Sequence, residues 1–520
     1  MAAAVDTNTA DGAAGSVAGI SVATIGHPIE TDSVEADVQA AEAARLPVLE
    51  YAASHQHERM WSAGTLTYTS AGIVILFCWL LWGDFALSMR DRSIGPVVQL
   101  FLKTIHASDF QMTLLLTSVP CLIGLFLSPV ISYKSDRLRS RWGRRIPFLI
   151  IPTPIAAVAM VGIAFSHEIG HGLIRTTGAA ISPDTATLIV FGVLWTVFGV
   201  ATNISASVLG GLINDVVPRG RLGRFLGLFR AVSLIDGMIF NKLLLRFAET
   251  HFTLLLASLA AVFGVGFMIM CLNVNEGQYP PPAVNSHDPR SRGFIGAVKI
   301  YFSECFSQPY YLWCFAAFTL GTLTFLPINT FSLYYAKQLN MNIQLYGDLN
   351  FYSYMVSLCI AYPLGWLVDK FHPLRVGLAA MIIYAISTGF GMLYIHSVTT
   401  FGAALMIHIV MSGTYFTATA PLGQTLLPRS RFAQFASAGG MVTSIATIAL
   451  GPSMGKWMDL TDHNYRLTFT AGFILSAMTI GLLLVVYKHF QEHGGTENYV
   501  APGDTILDPA QSAAAVVGGH

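Results

Sequence analysis

The chain has 520 residues, of which 53% are hydrophobic and 11% charged, with a formal net charge of +0 and a mean hydropathy of +0.58. A charged fraction so far below the roughly 25% usual in soluble domains excludes an ordinary water-soluble fold and marks a membrane protein. With acids and bases in balance, no nucleic-acid partner is expected.

In chain order, the first 65 or so residues are rich in Ala, Thr, Asp and Glu and lack a basic start followed by an apolar core. They read as a disordered cytoplasmic tail rather than a signal peptide, with a short helix over 34–53 as an option. Twelve apolar runs follow, at 70–103, 111–132, 147–166, 186–209, 225–247, 252–272, 310–336, 346–368, 374–396, 400–426, 434–458 and 466–488. Each is long enough, at about 1.5 Å per residue, to cross a hydrocarbon core of about 30 Å as a helix. The expected fold is all-α and polytopic, with twelve transmembrane helices in two six-helix bundles. The N-terminal bundle covers 66–272, a cytoplasmic central loop 273–308, the C-terminal bundle 309–490, and a second disordered cytoplasmic tail 491–520. Cys78, Cys121, Cys271, Cys305, Cys314 and Cys359 fall mostly within apolar runs without paired spacing and read as plain buried residues.

An even number of spans puts both termini on one side, and basic loops mark that side. Loops 2/3, 4/5, 6/7, 8/9 and 10/11 hold about 16 Lys and Arg against about 8 in the opposite loops, which puts both termini in the cytoplasm of a protein of the cytoplasmic (inner) membrane. The halves share a signature. Ser132-Tyr-Lys-Ser-Asp136-Arg137 follows span two and Gly365-Trp-Leu-Val-Asp369-Lys370 follows span eight, with Pro129 and Pro363 shortly upstream. Transporters built from such repeats bind substrate between the halves near the bilayer midplane and expose it alternately by rocking. Asp136 and Asp369 are expected to gate, pairing with a helix terminus or an arginine in one conformation and releasing it in the other. A topology anchor alone would need only lysines.

The segment Ser128–Ile150, SPVISYKSDRLRSRWGRRIPFLI, resembles the loop 2/3 signature of plant sucrose transporters and their animal relatives, SDR-x-x-SR-x-GRR-x-PF. Ser135, Asp136, Arg137, Ser140, Arg141, Gly143, Arg144, Arg145, Pro147 and Phe148 fall on that pattern. It also resembles the glycoside-pentoside-hexuronide cation symporters, which keep Ser-Arg-Trp-Gly, and both groups belong to the major facilitator superfamily. Asn214–Phe225, NDVVPRGRLGRF, is similar to the loop 4/5 pattern and adds Asp215 and Arg224 to the gating residues. The resemblance implies a monomeric secondary transporter of a sugar, a disaccharide or other glucoside. Sodium-using members carry two carboxylates on span two in the register that Gly124 and Ser128 occupy here. That departure argues for a proton as the coupling ion. The expected partners are membrane lipid, a small sugar and a proton, with no cofactor and no metal.

Ionisable residues inside a span are functional candidates by default, because each costs several kcal/mol. In WGDFALSMRDRSIGPVVQ (82–99), a helix ending at Ser88 would leave the apolar stretch Ile94–Leu102 in an outer loop, so span one is expected to run to Lys103 and carry Asp84, Arg90, Asp91 and Arg92 inside it. Pro96-Val97-Val98-Gln99 resembles the Pro-x-Val-Gln of the sucrose transporters and supports that length. On a helix, Asp84, Ser88 and Asp91 share one face with Arg92 at its edge. Asp84 and, more so, Asp91 are the candidate proton carriers, with Arg92 beside them and Arg230 and Asp236 on span five. Span five also offers Asn241. The superfamily cavity implies sugar contacts from Ser88, Asn203, Ser205, Asn329, Thr330, Thr414 and Thr417, with Trp79, Trp82 or Tyr415 as an aromatic platform.

His167-Glu168-Ile169-Gly170-His171 matches the zinc-protease pattern HExxH, and Leu234-Ile235-Asp236-Gly237 echoes the second motif of intramembrane zinc proteases. Against that reading, the motif falls in a short loop at the mouth of span three, Gly170 and Gly172 weaken the helix it needs, and twelve repeated spans are superfluous for proteolysis. No enzyme is expected. Transport of another solute is an alternative, and efflux of apolar compounds predicts a greasier cavity than one bearing Asp84 and Asp91. A non-transporting assembly factor would fail to carry labelled sugar into proteoliposomes.

Overall fold

A computed structural model describes residues 60–502 apart from 64, 179, 278–292 and 429–430. The optional helix over 34–53, and most of both tails, lie outside the described residues. A short antiparallel hairpin, β1 (Trp61–Ala63) and β2 (Leu66–Tyr68), precedes the helices, and the Arg221 guanidinium lies 4.2 Å over the Trp61 ring.

Helix α1 (Ser70–Thr104) opens where the Thr69 hydroxyl accepts the Gly72 N–H at 3.1 Å, and it continues for 35 residues through all four charges and past Pro96. It survives the charges because Ile94, Val97, Val98, Leu100 and Leu102 give its last third an apolar face to bury. Helix α2 (Asp109–Arg137) starts from a Ser108–Gln111 capping box and contains a π turn at Leu114–Ser118. Then come α3 (Pro147–Ala164), α4 (Ser166–Thr177), α5 (Pro183–Val216), α6 (Arg219–Ile239) and α7 (Phe252–Asn273). Helix α6 runs on into a second π turn, Phe240–Leu244. In the second half, α8 (Gly293–Phe306) lies within the central connection and is followed by α9 (Pro309–Gln338), α10 (Ile343–Phe371), α11 (Pro373–Tyr394) and α12 (Val398–Leu426). The chain closes with α13 (Phe432–Leu460), α14 (Leu467–Glu492) and the single turn α15 (Gly495–Asn498).

Among the described residues, 11 helices are long and apolar enough to cross a membrane. Helix α6 is the remaining span, disqualified by composition alone because Arg219, Arg221, Arg224, Arg230 and Asp236 are spread along it. The expected short loop at His167–His171 is instead part of α4. Gly170 does not break that helix; it lets α4 lie against α5, where an added Cβ would come within 2.9 Å of the Thr187 backbone. Beyond α14, Tyr499 donates to the Leu426 carbonyl and Tyr311 to the Pro502 carbonyl, each at 2.7 Å, so the chain packs on the bundle as far as Pro502.

Helix α1 packs on α6 and α7, and α5 on α2 and α3; in the other bundle α11 packs on α12 and α14, and α9 on α13 and α14. The bundles meet along two seams, α2 against α13 and α6 against α10. Glycine sets the approach in both. A Cβ at Gly347 would collide with the Asn241 carbonyl in the α6 π turn, and one at Gly455 with Asp109 and Thr113 beside the α2 π turn.

Candidate functional site

Helices α1, α6, α9, α10 and α12 enclose a cavity of about 360 Å³ between the bundles. Helix α1 contributes Arg92, whose Nη2 donates to Ser233 Oγ at 2.9 Å and whose guanidinium lies 5.4 Å over the Tyr354 ring. Arg230 of α6 lines the same space. Opposite, Asn329 Oδ1 lies 2.9 Å from Nε2 of buried His408, and His408 Nδ1 lies 2.8 Å from the Tyr384 hydroxyl. An amide oxygen only accepts, so Nε2 carries the proton and Nδ1 accepts from Tyr384. This chain fixes the Asn329 amide with its NH2 free to point away from His408. Asn350, Tyr346 and Ser332 add neutral polar groups, with Ser332 and Tyr346 hydroxyls 2.9 Å apart. Ser357 Oγ is buried without a hydrogen-bond partner.

The acids divide into two kinds. Asp84 is 2% exposed, accepts from Ser88 Oγ at 3.2 Å through one oxygen and has no partner for the other. Asp236 is fully buried and neither oxygen has a partner. Asp84, Asp236 and Arg92 lie within electrostatic reach of one another. Asp91 differs, being 57% exposed and held by Arg90 Nε at 2.9 Å, while Arg90 itself is buried between the Phe198 and Phe263 rings. The shared helix face is present, but the neighbouring Arg90 engages Asp91 and leaves Asp84 as the buried acid of the pair.

Of the neutral candidates, Asn329 and Asn241 line this cavity. Asn203 donates to the Gly199 carbonyl at 2.8 Å and, with Gly124 and Ser128, faces a separate crevice toward α13. Ser205 is buried, and Thr414 donates to the Val410 carbonyl at 2.9 Å. Thr330 and Thr417 are half-buried. Trp82 stacks on Phe85 with ring centroids 5.8 Å apart, and Tyr415 packs on Phe325 and Phe416 beside a second, aromatic pocket. Neither forms a platform in the polar cavity. The sequence reading missed His408, Tyr354, Asn350 and Ser357. His408 did leave a signal, a histidine in the middle of the apolar run ALMIHIVM.

The two ends of the bundle differ. At the 134–145 loop, Arg145 pairs with Asp136 at 3.0 Å and Arg144 with Asp215 at 2.8 Å. Glu276, at the end of α7, accepts the N–H groups of Arg144, Arg145 and Ile146 at 2.9, 2.8 and 2.6 Å. Gly143 has φ +101°, and a Cβ there would fall 2.6 Å from Glu276. Arg137 lies over Tyr133, Arg141 over Trp142, and Arg224 is exposed. In the second repeat Lys370 lies over Trp366, and Asp369 forms no ion pair among the described residues.

At the opposite end the bundles are clamped. Fully buried Asp109 of α2 is met by Lys103 Nζ at 3.0 Å, Tyr465 Oη at 3.0 Å and His463 Nδ1 at 2.6 Å. Asp459 of α13 accepts the N–H groups of Asp109 and Phe110 at 2.9 and 3.0 Å, capping α2 from across the seam. Burial, then the adjacent Asp109, push the Tyr465 hydroxyl well above its ordinary range, which keeps it a donor. Lys242–Asp348 at 2.9 Å and Lys337–Glu249 at 2.8 Å close the other seam at the same end. Asp109, Asp459 and His463 bring possible metal-ligand atoms within 4.8 Å of one another, yet Lys103 already neutralises Asp109. His167 and His171 stack on each other at 4.3 Å on α4 and are not part of that group.

Residues 80–429 match the family model described as MFS/sugar transport protein. Sucrose transport protein SUT1 of Oryza sativa subsp. japonica is 32% identical over 83 residues, 15% of this chain and 15% of that protein. Proton-associated sugar transporter A of Mus musculus is 32% identical over 123 residues, 24% of this chain and 14% of that protein. The match thus spans less than a quarter of the length of either relative. Among solved structures, a bacterial homolog to human lysosomal transporter Spinster, inward-facing and unoccupied, gives a TM-score of 0.60 at 14% identity, covering 82% of this chain and 98% of that one. The inward open xylose transporter XylE from E. coli gives 0.54 at 13% identity, covering 78% and 95%. At such identities the likeness is one of fold.

Proposed function

The chain belongs to the MFS/sugar transport protein family, whose members are transporters rather than enzymes, and from that premise we propose that it is a proton-coupled symporter of a disaccharide or other glucoside, working by alternating access. The observation that carries the reading is the polar cavity between the bundles, with the buried acids Asp236, which has no hydrogen-bond partner, and Asp84, which has only Ser88, in the N-terminal bundle that supplies its Arg92 and Arg230. Asn329, Asn350 and Ser332 offer the neutral donors and acceptors that sugar hydroxyls need.

The excess of basic loops assigns the 134–145 end to the cytoplasm, so the Asp109 clamp seals the outer end and the state is inward-facing. Opening outward then requires Asp109 to leave His463 and Tyr465, and Lys242 to leave Asp348, while the Asp136–Arg145 and Arg144–Asp215 pairs steady the cytoplasmic end of the first bundle. A buried carboxyl without a partner is tolerated as the neutral acid, so Asp84 and Asp236 are the groups suited to load and release the coupling proton as the seams exchange. The test is uptake of labelled sugars into proteoliposomes with and without an imposed proton gradient. Accumulation above equilibrium only with the gradient is expected. Uptake that never exceeds equilibrium overturns proton coupling, and absence of uptake for every sugar favours efflux or an assembly role.

A further inference from the structure

We infer that the sugar taken by this cavity carries an anionic group, a carboxylate or a phosphate. The inference rests on the transporter reading and narrows its substrate. Arg92 and Arg230 both line the cavity, and their guanidinium groups are near enough to repel each other. Arg92 is tied only to a hydroxyl, Ser233, and to the face of the Tyr354 ring. Neither arginine forms an ion pair among the described residues, and no Asp or Glu lines the cavity.

Arginine stays charged at any physiological pH, and inside a membrane its charge is normally matched by a carboxylate or a phosphate. Two of them side by side at the substrate position therefore describe a receptor whose counter-charge arrives with the ligand. The chain's own acids are poorly placed to serve. Asp91 is engaged by Arg90. Asp236 is buried with both oxygens unpartnered, and Asp84 makes one bond, to Ser88. Arg92 is within electrostatic reach of both, but neither forms an ion pair with it, so with both acids protonated the cavity is a positive one. A second observation points to the same ligand. Ser357 Oγ, nine-tenths buried and partnerless, opens on this cavity, and a bound molecule would satisfy it. The neutral amides opposite the arginines suit the hydroxyls of the same molecule, so charge and sugar are read from opposite walls.

The test is equilibrium binding to the purified full-length protein in nanodiscs, by titration calorimetry, with glucose, sucrose, glucuronate and glucose 6-phosphate. At least one anionic sugar is expected to bind about ten- to a hundredfold more tightly than glucose, the size of a charge-assisted hydrogen-bond contribution. Which anion gains tells carboxylate from phosphate. Arg230→Gln should bring the ratio close to one and Arg230→Lys should keep part of it. Because the wild-type ratio is itself decisive, a variant that fails to fold leaves the test intact. Neutral sugars binding as tightly as both acids would overturn the inference while leaving sugar transport standing. Lactate competing as well as glucuronate would sink the sugar reading and leave the anion site.

Discussion

In the proposed mechanism Asp236 is the side chain that carries the coupling proton. Its carboxyl is enclosed with no partner, near Asp84 and Arg92. Replacing it by Asn keeps the shape and removes the titration. Asp236→Asn is expected to abolish gradient-driven accumulation while preserving sugar exchange, with Asp84→Asn showing the same split. Proteoliposome counterflow set beside gradient-driven uptake checks both, and uphill uptake retained by the double variant would exclude these acids as the carriers. The helical period brought Asp84 and Asp91 onto one stripe from sequence alone. It could not reveal that Arg90 would turn to Asp91, since that choice depends on Phe198 and Phe263 from two other helices enclosing the guanidinium. His408 was overlooked for a related reason. Its role depends on Tyr384 and Asn329, 24 and 79 positions away, which no local pattern connects to it.

Among the elements, the charged stretch of α1 was readable because the apolar residues after it had to be buried somewhere. The seams were not readable, because a glycine that permits close approach looks like any other until its partner is known. Gly347→Leu and Gly455→Leu are expected to wedge α10 from α6 and α13 from α2, shifting the protein toward the state open at the Asp109 end. Spin-label distances across that end should lengthen by several ångströms, and unchanged distances would exclude the seams as the limit on closure. The turn between α10 and α11 gives a pH-dependent prediction. His372 Nδ1 accepts the Leu374 N–H at 3.3 Å, capping α11 in its neutral form, and burial followed by Arg375 holds the imidazole below its usual range. The folded state therefore binds that proton less readily than the unfolded chain, so its stability is full above the unfolded value of about 6.5 and falls as pH drops through it. Asn also caps helices through its side-chain oxygen and does not titrate, so His372→Asn should flatten the loss of thermal stability between about pH 7 and 5. An equally steep loss in the variant would rule His372 out as its source.

For the whole molecule, span count and the half-chain repeat were legible because membrane thickness and loop charge act on every segment alike. The repeat nonetheless misleads in detail. Asp136 has Arg145 as a partner, whereas Asp369 has no ion pair among the described residues, so the two halves share a pattern without sharing its chemistry. The clamp at the far end is unequal in another way. Asp109 is wholly enclosed, while Lys242–Asp348 and Lys337–Glu249 remain partly open to solvent. Dissolved ions screen exposed charges over a Debye length of about 8 Å at 0.15 M and about 3 Å at 1 M, and reach an enclosed carboxylate far less. Raising salt from about 0.15 to 1 M is thus expected to loosen the α6–α10 seam and spare α2–α13, read as modification of single cysteines placed along each. Equal loosening of both would count against the asymmetry. A protein clamped this way yields to ionic strength one edge at a time, and the edge that stays shut becomes the pivot.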